Sequence, residues 1–143
     1  MAEDALAFIH ALGFNQIDIL AFSMGGMIAQ ELITIEPKLV RKLILAGSGP
    51  RGGEGIKNVS KITNLDILRA VLTLKDVKTY LFFTRTENGK KNAKAFLKRI
   101  KERKVSRDQP ISIKGYLQQL KAIHRWGMDQ PADLSKITQS QIF

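Results

Sequence analysis

Between Ile17 and Ala46 the hydrophobic period of the chain changes twice, and that alternation leaves few folds open. Residues 17–21 form a short apolar, β-prone run. Residues 27–36 then repeat apolar side chains at helical spacing (Met27, Ile28, Leu32, Ile35) and stop at Pro37, which cannot continue a helix. Residues 40–46 are apolar again, with Val40, Leu43, Ile44 and Leu45 offered to a core. Strands joined by a helical crossover run parallel, and such a connection is right-handed. Strands of this kind are expected to be buried on both faces. Ahead of the unit, residues 2–12 place Ala5, Leu6, Phe8, Ile9 and Leu12 on one helical stripe, with Gly13 as the stop. The first part of the chain is therefore α/β.

The pattern changes after Ala46. Residues 47–55 form a glycine-rich loop, and helical periodicity predicts helices at 65–74, 76–83, 90–104 and 111–126. In the third, Ala93, Phe96, Leu97 and Ile100 make a narrow apolar seam among lysines and arginines, and the expected partner is Tyr116, Leu117, Leu120 and Ile123 of the fourth. From Gln130 the chain leads through Ala132, Asp133 and Leu134 to Ile142 and Phe143, the expected start of another strand. The expected division is an α/β part at 1–50, a helical part at 51–129 and a returning segment at 130–143.

The net charge of +10 is unevenly distributed: all 23 lysines and arginines lie from Lys38 onward, densest between Arg85 and Arg107. Such a stretch can attract anionic partners by counterion release, or it can be the solvated face of helices. No nucleic-acid-binding motif accompanies it, so nucleic acid is not the expected partner, and the solvated face is the favoured reading. The alternative is a non-catalytic interaction module that holds an anionic partner on the basic helical half. With no cysteine, disulfides and thiolate metal sites are excluded. No apolar stretch reaches the length of a membrane span, and Glu3 and Asp4 stand where a secretory signal carries positive charge, so a cytoplasmic protein without a membrane partner is the expectation.

Chemistry concentrates at Ala21-Phe22-Ser23-Met24-Gly25-Gly26, where the first strand meets its helix. A serine on a sharp strand-to-helix turn is held away from its own backbone and projects its hydroxyl at the carboxyl end of the strand. Such a serine must adopt strained backbone angles, which Gly25 and Gly26 would help to accommodate. A serine at a helix start can equally be a cap, its oxygen accepting from a first-turn amide. Downstream, Gly47-Ser48-Gly49-Pro50-Arg51-Gly52 matches G-x-G-x-x-G after a strand. A dinucleotide site needs a helix to open there; Pro50, Gly52, Gly53 and Gly55 oppose it, so no cofactor is expected and the segment reads as a loop leaving the sheet. No metal-ligand cluster is expected. The histidines are His10, in the first helix, and His124, two residues before Trp126.

Residues 4–14, 18–26 and 36–46, in that order, resemble the middle of a serine-dependent α/β-hydrolase of the esterase/lipase-like kind with a helical cap. The resemblance implies a partial α/β-hydrolase fold in residues 1–50, a cap in 51–129 and a return to the sheet in 130–143. It implies Ser23 as nucleophile and the Met24 amide as oxyanion donor, for a small ester-like substrate that reacts through an acyl-enzyme without a cofactor; His124 and Trp126, in the cap, are expected to line the substrate cleft or to pack the lid. Ala21 departs from the family's G-x-S-x-G, but it is the next smallest residue at a position where strand and helix approach closely. The family also places its acid and histidine after the cap, and a second oxyanion amide before the nucleophile strand. The expectation is therefore an interior fragment with little or no turnover. Its apolar sheet edge is expected to drive self-association or to need a complementary segment.

Overall fold

A computed structural model of the chain describes residues 1–107 and 109–142. Two compact units are present: Met1–Lys57 with Ile123–Phe143, and Asn58–Ala122.

The first unit contains helix α1 (Ala2–Ala11), strand β1 (Ile17–Phe22), helix α2 (Met24–Ile35), strand β2 (Val40–Ala46) and strand β3 (Ser140–Ile142). The last turns of helix α6 (Ile113–Met128) and a 3₁₀ turn at Leu134–Lys136 also belong to it. The sheet runs β1-β2-β3 with both pairings parallel. Ala21 lies opposite Leu45 and Phe22 opposite Ala46, so both strands end level with each other. The expected return strand is β3, paired to Lys42–Ile44; Phe143, expected to join it, lies outside the described residues.

Burial follows the strand period. Val40 and Leu43 of β2 and Ala21 of β1 join Leu6, Ala29, Leu32, Ile33 and Leu39 in one buried cluster, with Ile17 and Ile19 packed against it. The expectation that β1 is buried on both faces is corrected: Leu20 is 74% exposed and Phe22 73%. Helices α1 and α2 supply the covered side, and residues of even number in β1 face the other way. The buried stripe of α2 is also shifted from the expected one. It runs Gly26, Ala29, Gln30 and Ile33 with Leu32, while Ile35 is exposed. Glycine and alanine head this stripe because only small residues let the first turn lie close to the sheet and to the chain leaving β2.

The second unit contains α3 (Val59–Thr73), α4 (Lys78–Phe82), α5 (Glu87–Arg99) and the first turns of α6. Helix α4 packs against both α3 and α5. The expected pairing of the α5 seam with α6 is corrected: the ring of Phe96 meets Phe83, just after α4, at 5.6 Å between centroids, and Ile100 and Leu117 are exposed. Helix α6 is tied instead to the start of α3, where the Ser60 hydroxyl donates to the Leu120 carbonyl at 3.3 Å. Helix α5 begins at Glu87, ahead of the expected Lys90, because Thr86 caps it by accepting from the Gly89 amide at 3.1 Å. Among the described residues no helix is long and apolar enough to cross a membrane.

Register between β1 and β2 carries an electrostatic fastening. Arg41 donates to both carboxylate oxygens of Asp18, at 2.9 and 2.7 Å, from neighbouring strands. The Arg41 hydrogen bond, opposed by slight desolvation, holds the Asp18 carboxyl below its ordinary value. A carboxyl depressed in the folded state stabilises above its unfolded pKa of about 3.9, and the contribution is lost as pH falls through the folded value. Asp18→Asn should therefore lower the melting temperature slightly at pH 7, the pair being exposed. The difference from the parent should shrink as pH falls below about 4; thermal melts across that range in which the gap persists unchanged at acid pH would contradict the assignment.

Candidate active site

The turn between β1 and α2 is held by backbone before any side chain acts. Strand β1 ends at Phe22, and the Ser23 amide still donates to the carbonyl of Ala46 at 2.9 Å, so the last rung of the parallel ladder lies at the serine itself. Ser23 then takes φ 52° and ψ −122°, a region sparsely occupied by non-glycine residues, and α2 starts at Met24. The Gly26 amide donates back to the Ser23 carbonyl at 2.9 Å and closes the first turn. This reversal turns the Ser23 side chain out of both the strand and the helix.

Two uses of Ser23 could be read from sequence, a helix cap and a nucleophile. It occupies the N-cap position, yet its side chain makes no capping hydrogen bond. The residue is exposed, and its hydroxyl is not engaged with the first amides of α2. The amide of Met24 heads a helix and so has no intrahelical carbonyl to meet. A free hydroxyl at the head of a helix would suit attack on a carbonyl carbon, with the developing oxyanion received by the Met24 amide and favoured by the helix dipole.

The chain leaving β2 forms the seat for this turn. Gly47 takes φ 58° directly after the strand, with the Phe22 ring against it; a Cβ there would stand 3.3 Å from the ring. Ser48 then meets α2 at Gly26, where an added Cβ would lie 2.5 Å from both Cβ and Oγ of Ser48. One turn further along α2, the buried Gln30 amide donates to the carbonyls of Gly26 and Gly49, at 3.0 and 3.2 Å. Of the two glycines expected to serve the turn, Gly26 is the one that contact requires; around Gly25 there is open space.

Trp126 and His124, both expected near the substrate, are held in the last turns of α6. The Trp126 indole donates to the Gly49 carbonyl at 3.2 Å, the same oxygen that Gln30 holds. The Arg51 guanidinium lies 5.2 Å from the centre of the Trp126 ring and is ion-paired with Glu31 of α2 and, at 3.7 Å, with Asp129. Trp126 thus belongs to the framework of the 47–51 loop and lines a cavity of about 290 Å³ with Gln30, Thr34 and Arg51. A neighbouring cavity of about 310 Å³ is lined by Gln30, Leu45, Ser48 and Pro50. Ser23 lines neither. His124 is exposed, with Nδ1 3.1 Å from the Lys57 carbonyl, and His10 is 2.8 Å from the Glu36 carboxylate. Neither histidine is hydrogen-bonded to Ser23. No helix opens at the G-x-G-x-x-G of residues 47–52, which is loop and turn throughout.

Gln30 and Arg51 were not marked by sequence. Gln30 reads as a polar break in an apolar stripe, and the available signal was its place one turn after Gly26. Arg51 lies in a glycine-rich loop with Glu31 far away in sequence, so nothing local pointed to it.

Residues 1–88 match the family profile of the alpha/beta hydrolase fold. Over 55 residues the chain is 38% identical to a Haemophilus influenzae protein named "Putative esterase/lipase", a match covering 38% of this chain and 19% of that protein. Among solved structures, an alpha/beta hydrolase fold protein from Chitinophaga pinensis matches with a TM-score of 0.82 and 34% identity, over 98% of this chain and 50% of its own. The chain therefore spans half the length of that solved relative.

The seat makes a direct demand on Gly26. Gly26→Ala should lower stability by about 1–3 kcal/mol, the usual range for overpacking a tight contact. Placed on a Ser48→Gly background, which removes the opposing atoms, it should cost clearly less, with a coupling of about 0.5 kcal/mol or more. Urea denaturation of the four variants measures the cycle, and simple additivity would show that the contact is not tight.

Proposed function

The chain belongs to the alpha/beta hydrolase fold family, and on that footing we propose that Ser23 is the nucleophile of a serine hydrolase acting on small ester-like substrates. The observation that carries the reading is the conformation of Ser23: φ 52°, ψ −122°, at a strand-to-helix turn, with a side chain that does not cap the helix it precedes. A serine retained for capping would use its oxygen on a first-turn amide. A residue held at such angles costs on the order of 1–3 kcal/mol, and the strain follows naturally if its purpose is to present the hydroxyl.

In this reading Ser23 Oγ attacks the ester carbonyl carbon while its proton passes to a general base. The tetrahedral oxyanion is received by the Met24 amide. The alcohol leaves, and water then hydrolyses the acyl-serine by the same steps in reverse order of roles. Residues 51–129 serve as the cap that selects the substrate.

The base is the limiting part. His10 is engaged with Glu36 and His124 with the Lys57 carbonyl, so neither is bonded to Ser23 as a base would be. Loss of a working base in such a triad costs on the order of 10⁶-fold in turnover. The 143-residue chain alone is expected to acylate slowly and to turn over negligibly.

Incubation with p-nitrophenyl butyrate followed by peptide mass spectrometry tests both statements. A single butyryl group on Ser23, absent from Ser23→Ala, with no more than one equivalent of p-nitrophenol released, is the expected result. Butyryl groups found on lysines alone and unaffected by Ser23→Ala would remove the nucleophile assignment. Sustained release dependent on Ser23 would instead refute the statement about turnover.

A further inference from the structure

The basic half of the chain concentrates its charge around a cavity. Lys75, Lys90, Lys94, Lys98 and Lys101 line a hollow of about 470 Å³ within the second unit. Four of these come from α5 and the turn that follows it, and Lys75 comes from the connection between α3 and α4. The floor is apolar, formed by the buried Ala93 and the half-buried Leu97.

This arrangement is unfavourable for an empty helix. Lys90, Lys94 and Lys98 stand four residues apart on one face, and like charges at that spacing repel and destabilise a helix. Compensation is thin. Glu87 sits 2.5 Å from Lys90, and Asp76, 3.3 Å from Lys78, also attracts Lys101 of the group. Among the described residues no carboxylate is within ion-pair distance of Lys94, Lys98 or Lys75. These exposed lysines border one hollow, whose floor is apolar.

We infer that this lysine-rimmed hollow is a binding site for a small amphiphilic anion, one with a phosphate- or carboxylate-type head and an apolar body. The rim supplies several ammonium donors to the head, and Ala93 and Leu97 receive the body. The volume falls within the roughly 300–1,000 Å³ of small-molecule sites. An inorganic anion would leave the apolar floor unused. A nucleic acid strand calls for an extended groove with stacking aromatics, and none of the lining residues is aromatic. The inference is independent of the role of Ser23, and it gives a specific form to the anionic-partner alternative raised by the charge distribution.

Dodecyl phosphate, kept below its micelle-forming concentration, is a suitable probe in calorimetric titrations of the full chain. It should bind at least about tenfold more tightly than inorganic phosphate, and dodecyltrimethylammonium should not bind at the site. Lys94→Glu with Lys98→Glu should weaken dodecyl phosphate about tenfold or more. Lys91→Glu with Lys121→Glu, an equal charge change outside the lining, should leave it nearly unchanged. Circular dichroism of each variant checks that the helices are intact. Several results would overturn the inference: no binding of dodecyl phosphate, equal binding of inorganic phosphate, equal weakening by the two double variants, or capture by anionic phospholipid vesicles without binding of the monomeric probe.

Discussion

Everything at the Ser23 turn depends on how closely the first turn of α2 approaches the chain leaving β2. Gly26 lies against Ser48 with no room for a methyl group, and Gln30 spans the same gap by donating to Gly26 and Gly49. Separation of these two segments would pull the Ser23 amide from its partner at Ala46 and take from the buried Gln30 amide its acceptor at Gly49. An unsatisfied buried polar group costs about 1–3 kcal/mol, so the contact is over-determined by packing and hydrogen bonding together. That redundancy is what allows Ser23 to remain in a conformation that a serine would otherwise leave.

The consequence reaches outward through Gly49. Its carbonyl is shared by Gln30 and Trp126, and Trp126 is covered by Arg51, whose charge is met by Glu31 and Asp129. The loop is thus tied at once to α2 and to the end of α6. A glycine-rich segment would ordinarily be among the more mobile parts of a domain. Here its carbonyls and its one guanidinium carry the links that keep the seat under the serine.

Much of the first unit was legible in the residues because its signals are local. The switch from an apolar run to helical spacing and back defined β1, α2 and β2, and β2 was read at its observed bounds. The Ser23 turn was legible because Ser, Gly and Gly stand at the one place where strand becomes helix. What failed depended on distant partners. The exposure of Leu20 and Phe22 follows from which side of the sheet α1 and α2 occupy, and no period within β1 encodes that. The true stripe of α2 was hidden because Gly26, Ala29 and Gln30 do not look like core residues, although close approach makes them so. In the second unit Ala93, Phe96 and Leu97 of the expected α5 seam are covered while Ile100 is exposed, and the ring that meets Phe96 is Phe83, at the end of the expected 76–83 helix, a pairing that no local pattern in α5 encodes. The lysine spacing of α5 was visible as charge; its convergence with Lys75 on a hollow was a matter of tertiary placement.

The central claim is that position 23 presents its side chain at the head of α2 without using it to cap the helix. Because the chain has no cysteine, Ser23→Cys introduces a single thiol that can be followed without interference. The rate of alkylation by iodoacetamide across pH reports its thiolate fraction. Stabilisation by the start of α2 predicts a reactive thiol with a pKa below the ordinary value of about 8.5. An unreactive thiol, or one titrating at or above that value, would contradict the account.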